Sequence, residues 1–315
     1  MLHHCGLPKE DLDFIHSEGP VMEKILKQAD AKMTLFTGSS RIGEQLVKSL
    51  RGKVRLEDGG YDWKILGPDA PRNQADIDFA AYTCDQDAYA HTGQKCSAQS
   101  VMFMHRNWRR TDLLEKMKEQ ASRRSLENLT IGPVLSWNNE KIKAHVDAIL
   151  ELDGAEVLFG GSPLKNHSIP DCYGAWQPTA VFVPLKHFRS MKKRKLLTTE
   201  LFGPFQVVTE YGNSQLDQVL NICESTPHHL TAAIVSNDPI FTDKIIGETV
   251  NGTTYHGLRA RTTGAPQNHW FGPSGDPRGA GIGTDYAIQH TWSHHREIIT
   301  DIGPVIEDWN MPDPS

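Results

Sequence analysis

The chain has 315 residues, 38% hydrophobic and 23% charged, with 33 Lys and Arg against 39 Asp and Glu for a net charge of −6. That length can bury the core of one large domain or two ordinary ones, and the composition is that of a globular protein. The acidic balance excludes the basic field a nucleic-acid partner needs, and no apolar run is long enough to cross a bilayer, so neither nucleic acid nor membrane is expected as a partner.

Along the chain, Met1 to Pro8 reads as a helix end stopped by Gly6 and Pro8 rather than as a beginning. It has neither the basic nor the apolar part of a signal peptide and is not an Arg-rich transit segment. The expectation is a chain that starts inside a domain. Val21, Met22, Ile25, Leu26 and Ala29 recur at helical spacing, and Lys32–Phe36 reads as a strand. A helix carrying Ile42, Leu46, Val47 and Leu50 and a strand over Lys53–Leu56 follow, so residues 1–58 look like the closing part of a parallel α/β sheet. Beyond them the pattern predicts helices over 111–123, 138–152, 214–224 and 238–249. It predicts strands over 101–104, 157–159, 180–183, 206–209 and 231–235. Met191–Lys195 reads as a solvated basic turn. Residues 255–283 are rich in Gly, Pro and Asn, and an irregular stretch of that length containing Trp270 and Phe271 is expected to be an ordered binding loop.

The five cysteines (Cys5, Cys84, Cys96, Cys172 and Cys223) are odd in number and lack a CxxC spacing, which argues for reduced thiols and against a disulfide framework or a zinc site. The His3-His4, His228-His229 and His294-His295 doublets read as surface residues, and no metal is expected. Cys96 stands apart. It follows a glycine and Lys95, and a short helix starting there would lower its pKa as a thiolate nucleophile needs. Ser97 could hydrogen-bond near the thiol or cap that helix. Glu57, before Asp58-Gly59-Gly60, ends a strand, where α/β sheets place ligands, and could act as a general base. Ser39 lies between a strand and a helix and could hold a phosphate, or be a plain N-cap. Glu200 precedes a rigid Phe202-Gly203-Pro204 turn and could take two ribose hydroxyls, with Phe202 against a flat ring. Gly279-Ala280-Gly281-Ile282-Gly283 follows Asp-Pro-Arg rather than a strand, so a dinucleotide fingerprint is rejected there.

Gly93-Gln94-Lys95-Cys96-Ser97-Ala98, with Glu57 upstream and Glu200-Leu201-Phe202-Gly203-Pro204 downstream, resembles the aldehyde dehydrogenase superfamily. Leu56–Lys64, Asn166–Pro170 and Thr262–Pro273 are most similar to its plant-type branch acting on delta-1-pyrroline-5-carboxylate, and the likeness covers essentially the whole chain. The fold implied is α/β and aldehyde dehydrogenase-like. Residues 1–58 would be the remnant of a parallel NAD-binding sheet and 59–254 an α/β catalytic domain. Residues 255–315 would form a substrate-anchor loop and a C-terminal return for oligomerisation.

The resemblance implies NAD-dependent oxidation of L-glutamate γ-semialdehyde to glutamate in proline breakdown, by a homo-oligomer in the mitochondrial matrix, with no targeting segment in this chain. Cys96 would be the nucleophile and Glu57 the base for deacylation. Ser39, Glu200 and Phe202 would contact NAD, with Ile42 beside the adenine. Ser97 would lie near the substrate, Gly264 and Ala265 would offer backbone amides to its carboxylate, and Phe271 would pack on its methylenes. Family members also carry an upstream segment with an oxyanion-hole Asn and a ribose-binding Lys, and neither lies in these residues. A truncated, non-catalytic subunit that joins oligomers is therefore a second expectation. A cysteine hydrolase using Cys96 and His91 is a third, in which Glu200 has no role.

Overall fold

The computed structural model describes residues 2–226, 229–264, 270–300, 302 and 309–313. α1 (Gly19–Ala29) leads to β1 (Thr34–Gly38), and α2 (Ser40–Ser49) crosses to β2 (Val54–Asp58), which pairs with β1 in parallel. Leu26, Phe36, Ile42, Val47 and Leu50 pack on buried Leu46, Val54 and Leu56, a small cluster that holds this unit together. β2 gains a second neighbour from far along the chain. The Leu56 N–H donates to the Arg278 carbonyl at 2.9 Å and the Ala280 N–H to the Leu56 carbonyl at 2.8 Å.

A larger sheet follows. β3 (Asp62–Leu66) runs into α3 (Gln74–Tyr89) and β4 (Gln99–His105), then come α4 (Leu113–Ser122), α5 (Asn139–Leu150), β5 (Glu156–Phe159) and β6 (Thr179–Phe182). α6 (Met191–Leu197), β7 (Phe205–Tyr211), α7 (Leu216–Glu224), β8 (Thr231–Val235), α8 (Pro239–Gly247), β9 (Thr253–His256) and α9 (Asp285–Trp292) complete the order. The strands assemble as β5-β6-β7-β4-β3-β8-β9. Every pairing is parallel except that of β5 with β6.

Because side chains alternate across a strand, the sheet sorts its residues to two helical layers. Trp63, Ile65, Val101, Phe103, Val207 and Ile234 pack with Ile142, Val146 and Ile149 of α5 and Val219 and Ile222 of α7. Leu66, Met102, Met104, Val208 and Val235 pack with Ile77, Ala81 and Cys84 of α3 and Leu113 and Met117 of α4. Local chemistry starts the helices. Asn73, Asn138, Asp238 and Thr284 each accept an N-cap hydrogen bond, at the heads of α3, α5, α8 and α9. No helix among the described residues is long and apolar enough to cross a membrane.

Several expectations change. Met191–Leu197 is a helix rather than a turn, seated by buried Leu197. β3, α3, β9 and α9 are elements that periodicity does not announce, and β9 runs across the expected 254/255 division. The predicted helix over 214–224 is divided between a 3-10 turn at Asn213–Gln215 and α7.

Candidate active site

β2 delivers Glu57 at its C-terminal end, only 6% exposed, and its carboxylate shares hydrogen bonds with the Cys96 thiol and the Thr37 side chain. Two residues far apart in sequence thus meet. The meeting depends on Gly60, where a Cβ would overlap the Cys96 carbonyl oxygen, so only glycine lets the two strand ends approach this closely. Cys96 lies in a turn between the 3-10 segment Ala90–Gly93 and β4, closed by the Ala98 N–H on the Lys95 carbonyl at 3.0 Å.

This corrects the expected electrostatics. No helix starts at Cys96, and the Lys95 ammonium donates to the Gln86 carbonyl at 3.4 Å. Burial pushes the Cys96 thiol well up, and the nearby Glu57 and Asp62 charges add to it. Burial also raises Glu57, against the hydrogen bonds from Cys96 and Thr37. Glu57 is therefore the carboxyl placed to accept the thiol proton when the sulfur is ionised.

The segment between α6 and β7 supplies the opposite wall. Burial, with the Glu57 and Asp58 charges, raises the Glu200 carboxyl to about 7, although the Gly60 N–H donates to it. Phe202 holds a left-handed backbone, φ 49°, a conformation non-glycine residues adopt at a cost and which clusters at functional sites. A Cβ at Gly93, itself at φ 67°, would overlap the Gly203 carbonyl, so the cysteine turn and the Glu200 turn interlock. Thr92, β-branched yet at φ 61°, is pinned in the same turn, where its hydroxyl accepts the Gly132 N–H at 2.8 Å.

Thr37, Gly38, Ser39, Glu57, Gly59, Cys96, Ser136, Trp137, Glu200 and Phe202 enclose one cleft of about 290 Å³. Five residues singled out from sequence (Cys96, Glu57, Ser39, Glu200 and Phe202) therefore share a cavity. Ile42 packs into the α2 cluster instead, and Ser97 is buried beside Cys96 without lining the cleft. Phe271 is buried and pairs through its backbone with Ile282, and Gly264 lies against the Tyr255 hydroxyl. Ala265 lies outside the described residues. His91 is exposed and off the cleft. Sequence reasoning did not reach Ser136, Trp137 or Asp62. Asp62 is fully buried, its carboxyl driven far up by burial while the Thr231 N–H and hydroxyl donate to it at 2.6 and 2.8 Å.

The cleft fits the nicotinamide end of a dinucleotide. Ser39 precedes the N-terminus of α2 with its hydroxyl unused as a cap, suiting a phosphate. Glu200 presents a carboxyl suited to a ribose diol and Phe202 a ring face.

Comparison with known proteins agrees with this geometry. The aldehyde dehydrogenase family profile matches residues 1–289. A probable aldehyde dehydrogenase of Linum usitatissimum is 60% identical over 99% of this chain and 56% of its own length. The mitochondrial delta-1-pyrroline-5-carboxylate dehydrogenase 12A1 of Arabidopsis thaliana is 58% identical, again over 99% of this chain and 56% of its own. The crystal structure of a 1-pyrroline-5-carboxylate dehydrogenase from Thermus with bound NAD superposes with a TM-score of 0.74 at 25% identity, over 91% of this chain and 55% of that one. The chain thus spans a little over half the length of these two curated relatives. With the Cys96–Glu57 pair facing Glu200 and Phe202 across one cleft, and the family profile matching from end to end of both sheets, this chain belongs to the aldehyde dehydrogenase family.

Proposed function

We propose that the protein to which this chain belongs oxidises L-glutamate γ-semialdehyde, the open form of delta-1-pyrroline-5-carboxylate, to L-glutamate with NAD. The observation that carries this reading is the hydrogen-bonded Cys96–Glu57 pair at the floor of a cleft walled by Ser39, Glu200 and Phe202. Glu57 takes the thiol proton as the sulfur adds to the aldehyde carbon and forms a hemithioacetal. Ser39, Glu200 and Phe202 would hold NAD, which when bound supplies the acceptor for the aldehyde's hydride. Cys96 then carries the acyl group as a thioester. Glu57, having passed the first proton to solvent, takes one from the water that hydrolyses the thioester, so that the carboxylate product leaves and a proton returns to the sulfur. The Gly264 and Ala265 amides would receive the substrate's own carboxylate, since successive N–H groups form an anion nest, and Phe271 would pack on its methylenes.

A mitochondrial location belongs to the same proposal, supported by the similarity to the mitochondrial Arabidopsis protein, and so does a homo-oligomeric state. A cysteine hydrolase is not favoured, because no histidine among the described residues lines the cleft. The test is NADH formation from glutamate semialdehyde by the full-length protein. Cys96→Ser should lower it by at least three orders of magnitude, since a hydroxyl at its ordinary pKa is a far weaker nucleophile. Cys5→Ser, Cys84→Ser, Cys172→Ser and Cys223→Ser should keep most of it. Normal turnover by Cys96→Ser would exclude the thiol mechanism.

A further inference from the structure

A buried charge pair lies behind the catalytic cleft. Lys64, central in β3 and 0% exposed, places its ammonium 2.8 Å from Asp87 in the last turn of α3, 1% exposed. Such a pair is costly to bury unless the carboxylate's remaining lone pairs are satisfied. Here they are satisfied from one place. The Thr262 N–H donates to Asp87 Oδ2 at 2.8 Å, and the Thr263 N–H and hydroxyl donate to Oδ1 at 3.3 and 2.7 Å. Lys64 also lies 3.6 Å from Cys84 Sγ on the same helix.

Both partners sit on elements that lead to the nucleophile. β3 begins at Asp62, two residues past Gly60, whose Cα lies against the Cys96 carbonyl, and α3 runs into the turn that carries Cys96. The residues gripped are those immediately before Gly264, where a Cβ would overlap the Tyr255 hydroxyl. Loop, helix and strand therefore meet at one carboxylate.

We propose that Asp87, oriented by Lys64, is a positioning residue that fixes the 262–264 backbone relative to Cys96, and thereby sets preference for an aldehyde bearing a distal carboxylate. This rests on the reading that the backbone following Thr263 receives the substrate carboxylate. Asp87 touches neither substrate nor cofactor and acts through the loop. A purely structural pair would stabilise the sheet–helix contact without discriminating among substrates.

The test compares glutamate semialdehyde with propanal in the full-length protein. Removing Asp87 alone would strand the Lys64 charge and endanger folding, so the primary variant is Thr263→Val, which deletes one hydrogen bond and leaves the pair intact. It should raise KM for glutamate semialdehyde about fivefold to tenfold, the scale of one hydrogen bond's ordinary net contribution. The kcat and the propanal KM should stay within twofold, and Thr263→Ser should restore the parent values. The paired change Lys64→Met with Asp87→Asn, which removes the charges together, should lose the same selectivity. Equal losses for both aldehydes, or no change in their ratio, would overturn the proposal. Ala265→Leu separates the two failures. If it depresses glutamate semialdehyde selectively while Thr263→Val does not, Asp87 has no positioning role; if neither discriminates, the carboxylate-anchor reading itself falls.

Discussion

Glu57 serves two proton transfers in the scheme above, and these can be separated. Glu57→Gln keeps a hydrogen-bonding group beside Cys96 but removes the base that activates water. If hydrolysis is where the carboxylate matters most, the variant should give a burst of NADH near one per active site followed by slow turnover, read by stopped-flow absorbance. Loss of the burst would place the decisive proton transfer at sulfur instead. Glu200 offers a pH signature. Its carboxyl is raised by burial from an ordinary 4.5 to about 7, so the folded protein holds a proton there that the unfolded chain has released. Its contribution to stability therefore falls as pH rises from 4.5 to about 7 and is at its least favourable above that. Ionisation gives the stronger acceptor for a ribose diol, so NAD should bind more tightly at pH 8 than at pH 6. Glu200→Gln should flatten that dependence in calorimetric titrations. An unchanged pH profile in the variant would remove Glu200 from the cofactor contact.

Among the elements, the interlock of the two turns is the most exposed to substitution. Gly93→Ala would demand a left-handed alanine and drive its Cβ into the Gly203 carbonyl. It should cost on the order of 2–3 kcal/mol in urea unfolding, the range for a strained backbone position, and weaken NAD binding through the displaced Glu200 turn. What could be read from sequence depended on how each element meets its surroundings. β4, β6, β7 and β8 are apolar runs buried on both faces and are plain in the chain. β3 is buried at all five positions, yet two of them are Asp62 and Lys64, whose partners Thr231 and Asp87 lie far along the chain or on the next helix. Polarity satisfied by distant groups looks like exposure in one dimension. α3 hides for a related reason. Nine of its residues are buried, and they include Thr83, Asp85 and Asp87, so no apolar stripe marks it. Met191–Leu197 misled in the opposite sense: its lysines are exposed while buried Leu197 anchors the helix.

Over the whole molecule, the acidic and thiol members of the cleft were legible because each sits in a short motif of distinctive residues. Ser136 and Trp137, which close the same cleft, were not. They come from a loop before α5 with no motif of its own, and only the fold brings them to Cys96. The link between Thr263 and Asp87 spans 176 residues and was likewise beyond any local pattern.

The pairing of Leu56 with residues 278–280 has a consequence for how this protein comes into being. Arg278 fastens that return to Glu44 of α2 at 2.7 Å, and the Arg55 guanidinium donates to the Pro277 carbonyl at 3.0 Å. During synthesis, the strand bearing Glu57 leaves the ribosome more than two hundred residues before its outer neighbour exists. Contacts of such long sequence separation form late, after their loop-closure entropy has been met. β2 thus keeps an unfinished outer edge until residue 280 has been made, an interval in which an unpaired strand edge invites misassociation.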